Sequence, residues 1–261
     1  MAKNLAAMKL GKLPPRHDPR TLRLASYLAP TIQLPAVPES VWWSKAVQSW
    51  PMLGNDRYGD CAWAGPAHME QAWAALTKKK FTPTDAMVLK DYSSTGFDPR
   101  TGTHDDGTVM LDMLNRWRNV GICGGRKIYA YVAVDPHNHD EVKLAMMLFG
   151  GLAAGVALPK TAQTQQFWQA PVHGPYWGSW QPGSWGGHMI PYLDFDLASR
   201  PTPRIRSISW GGIQELSWNW HDVYCDELYA VLGMNWASKT IKAPSGFYLD
   251  DLRADLRAVA A

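Results

Sequence analysis

Apolar positions recur along the chain in two rhythms, and the rhythm changes near residue 127. Before that point the spacing is helical. Ala62, Ala67, Met69, Ala72, Trp73 and Leu76 predict a helix over 62–79, with Pro66 in its first turn and Lys78, Lys79 and Lys80 at its C-terminal end. A second helix is predicted over 84–93, capped by Thr84 after Pro83, and a third over 107–120, stopped by Gly121. After Lys127 the segment IYAYVAV reads as a strand. Residues 139–149 read as a helix ended by Gly150 and Gly151, and LAAGVAL follows as a buried strand. Residues 168–187 form a loop rich in Trp, Gly and Pro, and MIPYLDFD and RIRSISW then read as strands. Residues 224–232 are ambiguous, with DELYAVL one candidate for a final strand. Helices first and strands after predict an α+β chain.

The first 40 residues break both rhythms. Pro14, Pro15, Pro19, Pro30, Pro35 and Pro38 leave room for little but extended chain. Such an arm has no core of its own and becomes ordered only by lying on the rest of the chain or on a partner. No internal repeat is visible.

Composition narrows the classes. With 46% hydrophobic residues and 14 Trp in 261 residues, the chain has ample material to bury, which excludes disorder. Three cysteines are too few to staple it, and an odd number leaves one thiol free. The net charge of +3 is small and dispersed, against a nucleic-acid surface. No stretch reaches the roughly 20 apolar residues of a membrane span. Nor does the N-terminal segment carry a secretory core, which suggests the cytoplasm or a particle assembled there.

Chemistry concentrates in PMLGNDRYGDCAWAG, residues 51–65. Cys61 opens a predicted helix, where unpaired N–H groups favour a thiolate and can hold an oxyanion beside it. Asn55, six residues upstream, carries an amide suited to a second oxyanion donor. A lone Cys at a helix start is otherwise a small buried hydrophobe. His188, after Gly186 and Gly187 at the start of a strand, is the candidate base and then acid for that thiol. Ser209-Trp210-Gly211 lies on the next strand.

In order and spacing these segments resemble the papain family of cysteine peptidases, over most of residues 40–232. Residues 55–63 approximate the family's oxyanion-and-nucleophile loop, with Asn55 in the place of its Gln and Cys61 in that of its nucleophile. Asp106-Gly107 and the helix ending at Val120-Gly121-Ile122 resemble the Gly-rich stretch and helix of its left lobe. DEVKLAMMLFGGLAAGVAL resembles the helix and strand before its catalytic His, which His188 matches. Ser209-Trp210-Gly211 matches the Ser-Trp-Gly after its catalytic Asn. The resemblance implies a two-lobe α+β fold behind a Pro-rich arm at 1–40. A helical left lobe would cover about 50–126 and an antiparallel, β-barrel-like right lobe about 127–261, with a cleft between. It also implies a peptide or protein substrate, no cofactor, no metal, and no nucleic-acid or membrane partner. Trp210 and Trp218 would roof the His strand.

The pattern departs from the family in three ways. Ile208 stands where the family has the Asn that orients the imidazole, and Ile cannot hydrogen-bond a ring nitrogen. Ser207 or Ser209 would substitute if the strand is locally shifted; Asp194, six residues along the His strand, is too far away if that strand is extended. Asn55 is one methylene shorter than Gln. The disulfides and long propeptide of secreted members are missing, although the arm is long enough to cross the cleft.

Two functions stay open. One is a cysteine hydrolase, most simply a peptidase, using Cys61, His188 and Asn55. The other is a catalytically degenerate structural or binding protein. An example would be a bacteriophage virion decoration or tail component, held to neighbouring subunits by residues 1–40. Trp177 and Trp180, set among Gly, Ser and Pro, are the candidate partner or substrate contacts. A transglutaminase-like reading lacks a suitably placed Asp after His188.

Overall fold

The computed structural model describes residues 5–28 and 36–234. Among them, in chain order, are β1 (Ser40–Trp42), α1 (Cys61–Leu76), α2 (Asp85–Tyr92), α3 (Met110–Asn119), β2 (Ile128–Ala133), α4 (His139–Phe149) and β3 (Leu152–Leu158). Then come β4 (Phe167–Trp168), β5 (Gly186–Asp196), β6 (Arg204–Ser209), β7 (Gly212–Ser217), α5 (Trp218–Tyr224) and β8 (Cys225–Gly233). The fold is mixed α+β.

The strands form one sheet in the order β2-β8-β3-β5-β6-β7-β4, with β1 also paired to β5. Every pair is antiparallel except β4 with β7. The sheet is not closed, which corrects the barrel-like expectation. The outer edge of β2 is met by the arm, where the Ala133 amide donates to the Leu22 carbonyl at 2.7 Å. At the other end β4 has only two residues. Period-two alternation divides the burial between two cores. Ile190, Tyr192 and Ala154 pack with α4 and α5, while Met189, Ala153 and Val231 pack with α1 and α3.

α1 is buried continuously from Cys61 to Ala74, so it is an interior helix without a solvent face. Trp73 stacks on Trp117 of α3 with ring centroids 5.7 Å apart. On the sheet side Gly65 admits β5, because a Cβ there would meet Met189 Sδ at 2.1 Å. Helix and sheet can therefore touch closely where the chemistry lies. Pro66 is the sixth residue of α1 and not in its first turn, because the helix already starts at Cys61. The other predicted helices form, α2 with Thr84 accepting from the Met87 amide and α4 ending at a left-handed Gly150. DELYAVL lies within the strand β8. The sequence reading lacked β1, β4, β7 and α5. Residues 235–261, the end of the expected right lobe, lie outside the described residues, as do Pro30 and Pro35 of the arm.

Candidate active site

Cys61 is the first residue of α1, at the helix end where the leading N–H groups lack a full set of intrahelical acceptors. The loop entering the helix is cross-braced. Asn55 Nδ2 donates to Asp60 Oδ1 at 3.0 Å and to the Tyr58 carbonyl at 3.3 Å. Asp105 Oδ1 accepts from the Gly59 amide and from the Tyr92 hydroxyl, each at 2.8 Å. Tyr92 in turn accepts from the Gly107 amide at 2.9 Å. Both hydrogens of the Asn55 amide are thus already committed. Burial pushes the Asp60 carboxyl well above its ordinary range, which favours its neutral form beside the sulfur.

His188 is placed by the sheet. Trp210 lies flat over its ring, with centroids 4.3 Å apart and planes 13° from parallel. Ser209 Oγ and His188 Nε2 share a hydrogen bond of 2.9 Å. Ser209 reaches the ring because β6 and β7 join through a two-residue turn, Trp210-Gly211, in which both residues have positive φ. Alternation turns Ile208 the other way, into a small cluster with Ala72 and Leu193. The residue in the family's Asn position is therefore not the one at the ring; its neighbour Ser209 is. The other ring nitrogen, Nδ1, is buried without a hydrogen-bond partner among the described residues. The Met189 amide, next in sequence to His188, points at the Cys61 sulfur.

The arm fills the space between these two walls. Its Lys12 amide donates to the Gly187 carbonyl at 3.1 Å, its Gly11 carbonyl accepts from Thr108 at 2.7 Å, and its Leu13 amide donates to the Thr108 carbonyl at 3.0 Å. Lys12 and Thr108 pair as parallel chains. The Gly11 amide points at the Cys61 sulfur. Three glycines make the passage possible. A Cβ on Gly11 would lie 1.7 Å from the Gly59 carbonyl oxygen, one on Gly107 would lie 2.2 Å from the Gly11 oxygen, and one on Gly187 would lie 2.2 Å from the Lys12 oxygen. The Lys12 ammonium is 2.9 Å from Asp226 and 3.2 Å from Glu227.

Solved structures of the same shape are cysteine proteases. Xylellain, a cysteine protease from Xylella fastidiosa, superposes with a TM-score of 0.64 at 14% identity, covering 89% of this chain and 99% of its own. Digestive procathepsin L 3 of Tenebrio molitor gives 0.59 at 13% identity, covering 87% and 77%. Procathepsin B S9 from Trypanosoma congolense gives 0.58 at 11% identity, covering 88% and 87%. The fold is papain-like. No protein-family model and no curated protein sequence matches the chain.

In this papain-like frame the covered cleft has a definite electrostatic state. Burial pushes the Cys61 thiol up to about 11 and the His188 imidazole down to about 3. Both shifts favour the uncharged forms. With the arm seated, both the thiol and the ring are therefore held in their neutral forms.

The remaining residues singled out by sequence lie elsewhere. Asp194 binds the Ser44 amide at 2.8 Å, the Ser44 hydroxyl, and Arg206 at 3.3 Å. Trp218 does not roof the His strand; α5 carries it to His139, with ring centroids 4.7 Å apart. Trp177 is 73% exposed beside the short turn 178–180, whereas Trp180 is half-buried and its carbonyl accepts from Tyr224. Cys123 and Cys225 are buried and free, like Cys61. No helix among the described residues is long and apolar enough to cross a membrane. Sequence reasoning missed Lys12, Asp105, Asp226 and Glu227. Lys12 stands between Gly11 and Leu13 in a segment that reads as featureless arm, and only the pairing across the cleft gives it a role.

Proposed function

We propose that the chain is a latent cysteine hydrolase, most simply a peptidase, whose N-terminal arm covers the site. The observation that carries this reading is the His188 ring. Nε2 is tied to a hydroxyl, and Nδ1 is buried with no hydrogen-bond partner among the described residues, while the neighbouring Met189 amide points at the Cys61 sulfur. That is the arrangement of a base waiting for a proton. Once the arm leaves, solvent returns and the burial that holds both groups neutral is relieved. Nδ1 takes the Cys61 proton, the thiolate attacks the acyl carbon, and His188 returns the proton to the leaving amine. The helix N-terminus stabilises the oxyanion. Asn55 joins it as a second donor by releasing the Tyr58 carbonyl, the longer of its two bonds. Mapping of substoichiometric alkylation tests the reading. In protein whose arm has been displaced, Cys61 should react faster than Cys123 and Cys225; equal rates between pH 5 and 8 would overturn it.

A second reading, a catalytically degenerate binding or structural protein, is favoured by exposed Trp177 and Val172, 73% and 74% accessible on one loop. Arm displacement that leaves Cys61 unreactive, together with partner capture lost on Trp177→Ala, supports it.

A further inference from the structure

Charged residues make up 19% of the chain, yet the 33 residues 161–193 contain no Asp, Glu, Lys or Arg. Within them runs the long loop between β4 and β5. Three of the four tryptophans in this stretch are packed. Trp168 is fully buried and stacks on Trp220 with centroids 4.8 Å apart, Trp185 lies 5.5 Å from Trp210, and Trp180 is half-buried. Trp177 instead stands in solvent, 73% exposed. The loop that carries it is braced. Asn219 Nδ2 donates to the Ala170 and Pro171 carbonyls at 2.8 and 3.3 Å, and the Tyr176 hydroxyl donates to the Pro171 carbonyl at 2.7 Å. Tyr224 donates to the Trp180 carbonyl at 2.8 Å. The Gly183 and Trp185 amides donate to the Ala157 and Leu158 carbonyls of β3, each at 3.0 Å. The bracing holds the indole out in water, so a ligand meets it without an ordering cost.

We infer that Trp177 is the platform of a binding site for a neutral saccharide built of β-1,4-linked pyranose units. The face of an indole is apolar and electron-rich, and it fits the C–H face of a pyranose whose hydroxyls are all equatorial. Those hydroxyls point outward in the plane of the ring and need neutral donors and acceptors, which exposed Ser179 and Gln181 supply on the same turn. A neutral ligand loses nothing by the absence of charge. An anionic membrane surface or a polyanion would need Lys or Arg here. A protein interface of ordinary size covers about 800 Å² on each partner, and Trp177 and Val172, the large apolar side chains exposed on this loop, are too few to form its core. The inference gives a ligand to the surface on which the second reading rests, and it does not depend on whether Cys61 is reactive.

The test titrates the full chain, wild type and Cys61→Ala, with cellohexaose and with chitohexaose by calorimetry. Both proteins should bind at least one of the two, with an affinity that about 1 M salt leaves unchanged. Trp177→Ala should weaken binding about tenfold or more, and Trp177→Tyr, which keeps a flat ring, should recover part of it. Because Trp177 is exposed, neither variant should lower the melting temperature. Binding of neither hexasaccharide, or equal binding by wild type and Trp177→Ala, overturns the inference. A dimer in sedimentation that Trp177→Ala dissociates also overturns it, as does binding to anionic vesicles lost in that variant, because the surface then belongs to a second copy or to a membrane. Reactivity of Cys61 is scored separately in Gly11→Leu, whose side chain cannot pass Gly59 and so unseats the arm. Saccharide binding beside an unreactive Cys61 supports the inference and sinks the hydrolase. A reactive Cys61 without saccharide binding sinks the inference alone.

Discussion

The two walls of the cleft hold their reactive groups differently. The helical wall places Cys61 redundantly. Its entry loop is tied through Asn55–Asp60, Gly59–Asp105, Tyr92–Asp105 and Tyr92–Gly107, so no single bond decides where the sulfur sits. The sheet wall places His188 with one hydroxyl and one stacked indole. A nucleophile needs its position fixed, and the backbone of a helix start can do that. An imidazole needs its ring oriented, and here that falls to the Ser209 hydroxyl and the Trp210 indole.

Four experiments sharpen or break this contrast. The largest effect comes from Cys61→Ala, which removes the reacting atom. Hydrolysis by arm-displaced protein should fall by about 10⁴ or more in kcat, while peptide binding persists. Residual turnover at the parent rate would place the chemistry elsewhere.

Next comes the pH dependence of Cys61 alkylation. In the wild type the buried thiol releases its proton only near about 11, so the rate should rise tenfold per pH unit through neutrality. In Gly11→Leu that burial is relieved, and the rate at pH 7 should rise about a hundredfold. Burial in the covered cleft also holds His188 below its ordinary value near 6.5, down to about 3. Uncovered protein therefore takes up a proton that covered protein does not. The advantage of the covered state is full above about pH 6.5 and is lost as pH falls toward 3. Mild acid should accelerate proteolytic clipping of the arm, and an arm equally protected at pH 7 and pH 4 contradicts this.

Ser209→Ala in the Gly11→Leu background should lower kcat about ten- to a hundredfold with KM little changed. Ser209→Thr, which keeps the hydroxyl, should recover most of it. The smallest effect on rate is expected from Asp105→Ala. It removes the acceptor of two donors and should cost about 1–3 kcal/mol in thermal unfolding. Because the wall is redundant, kcat should change less than in Ser209→Ala. The opposite ranking would show that the helical wall is the fragile one.

What could be read from the sequence follows from range. The helix at Cys61 and the strand at His188 are local, and periodicity and glycines announce them, whereas the turn at Trp210-Gly211 falls in a segment that reads as strand. Ser209 was one of two named substitutes for the missing Asn, yet only the backbone of Trp210 and Gly211 decides that its hydroxyl meets the ring while Ile208 turns away. Asn55 shows the opposite case. Its spacing from Cys61 is local, but its donors are taken by Asp60 and Tyr58, which spacing does not reveal. The open edge of β2 and the partners of Lys12 are long-range facts. A hydrogen bond from Ala133 to Leu22, or an ion pair from Lys12 to Asp226, leaves no periodic trace in either segment.

The direction of the arm has one more consequence. The chain over the sulfur offers it the nitrogen side of a peptide, while the adjoining Gly11 carbonyl is held by Thr108. If the cleft hydrolyses peptides as proposed, the guard keeps its electrophilic carbon out of the line of attack, and the site it blocks would not digest it. On that reading each molecule would carry a tethered stopper that can return after every opening, and latency would be an equilibrium that can be reset rather than a one-time release.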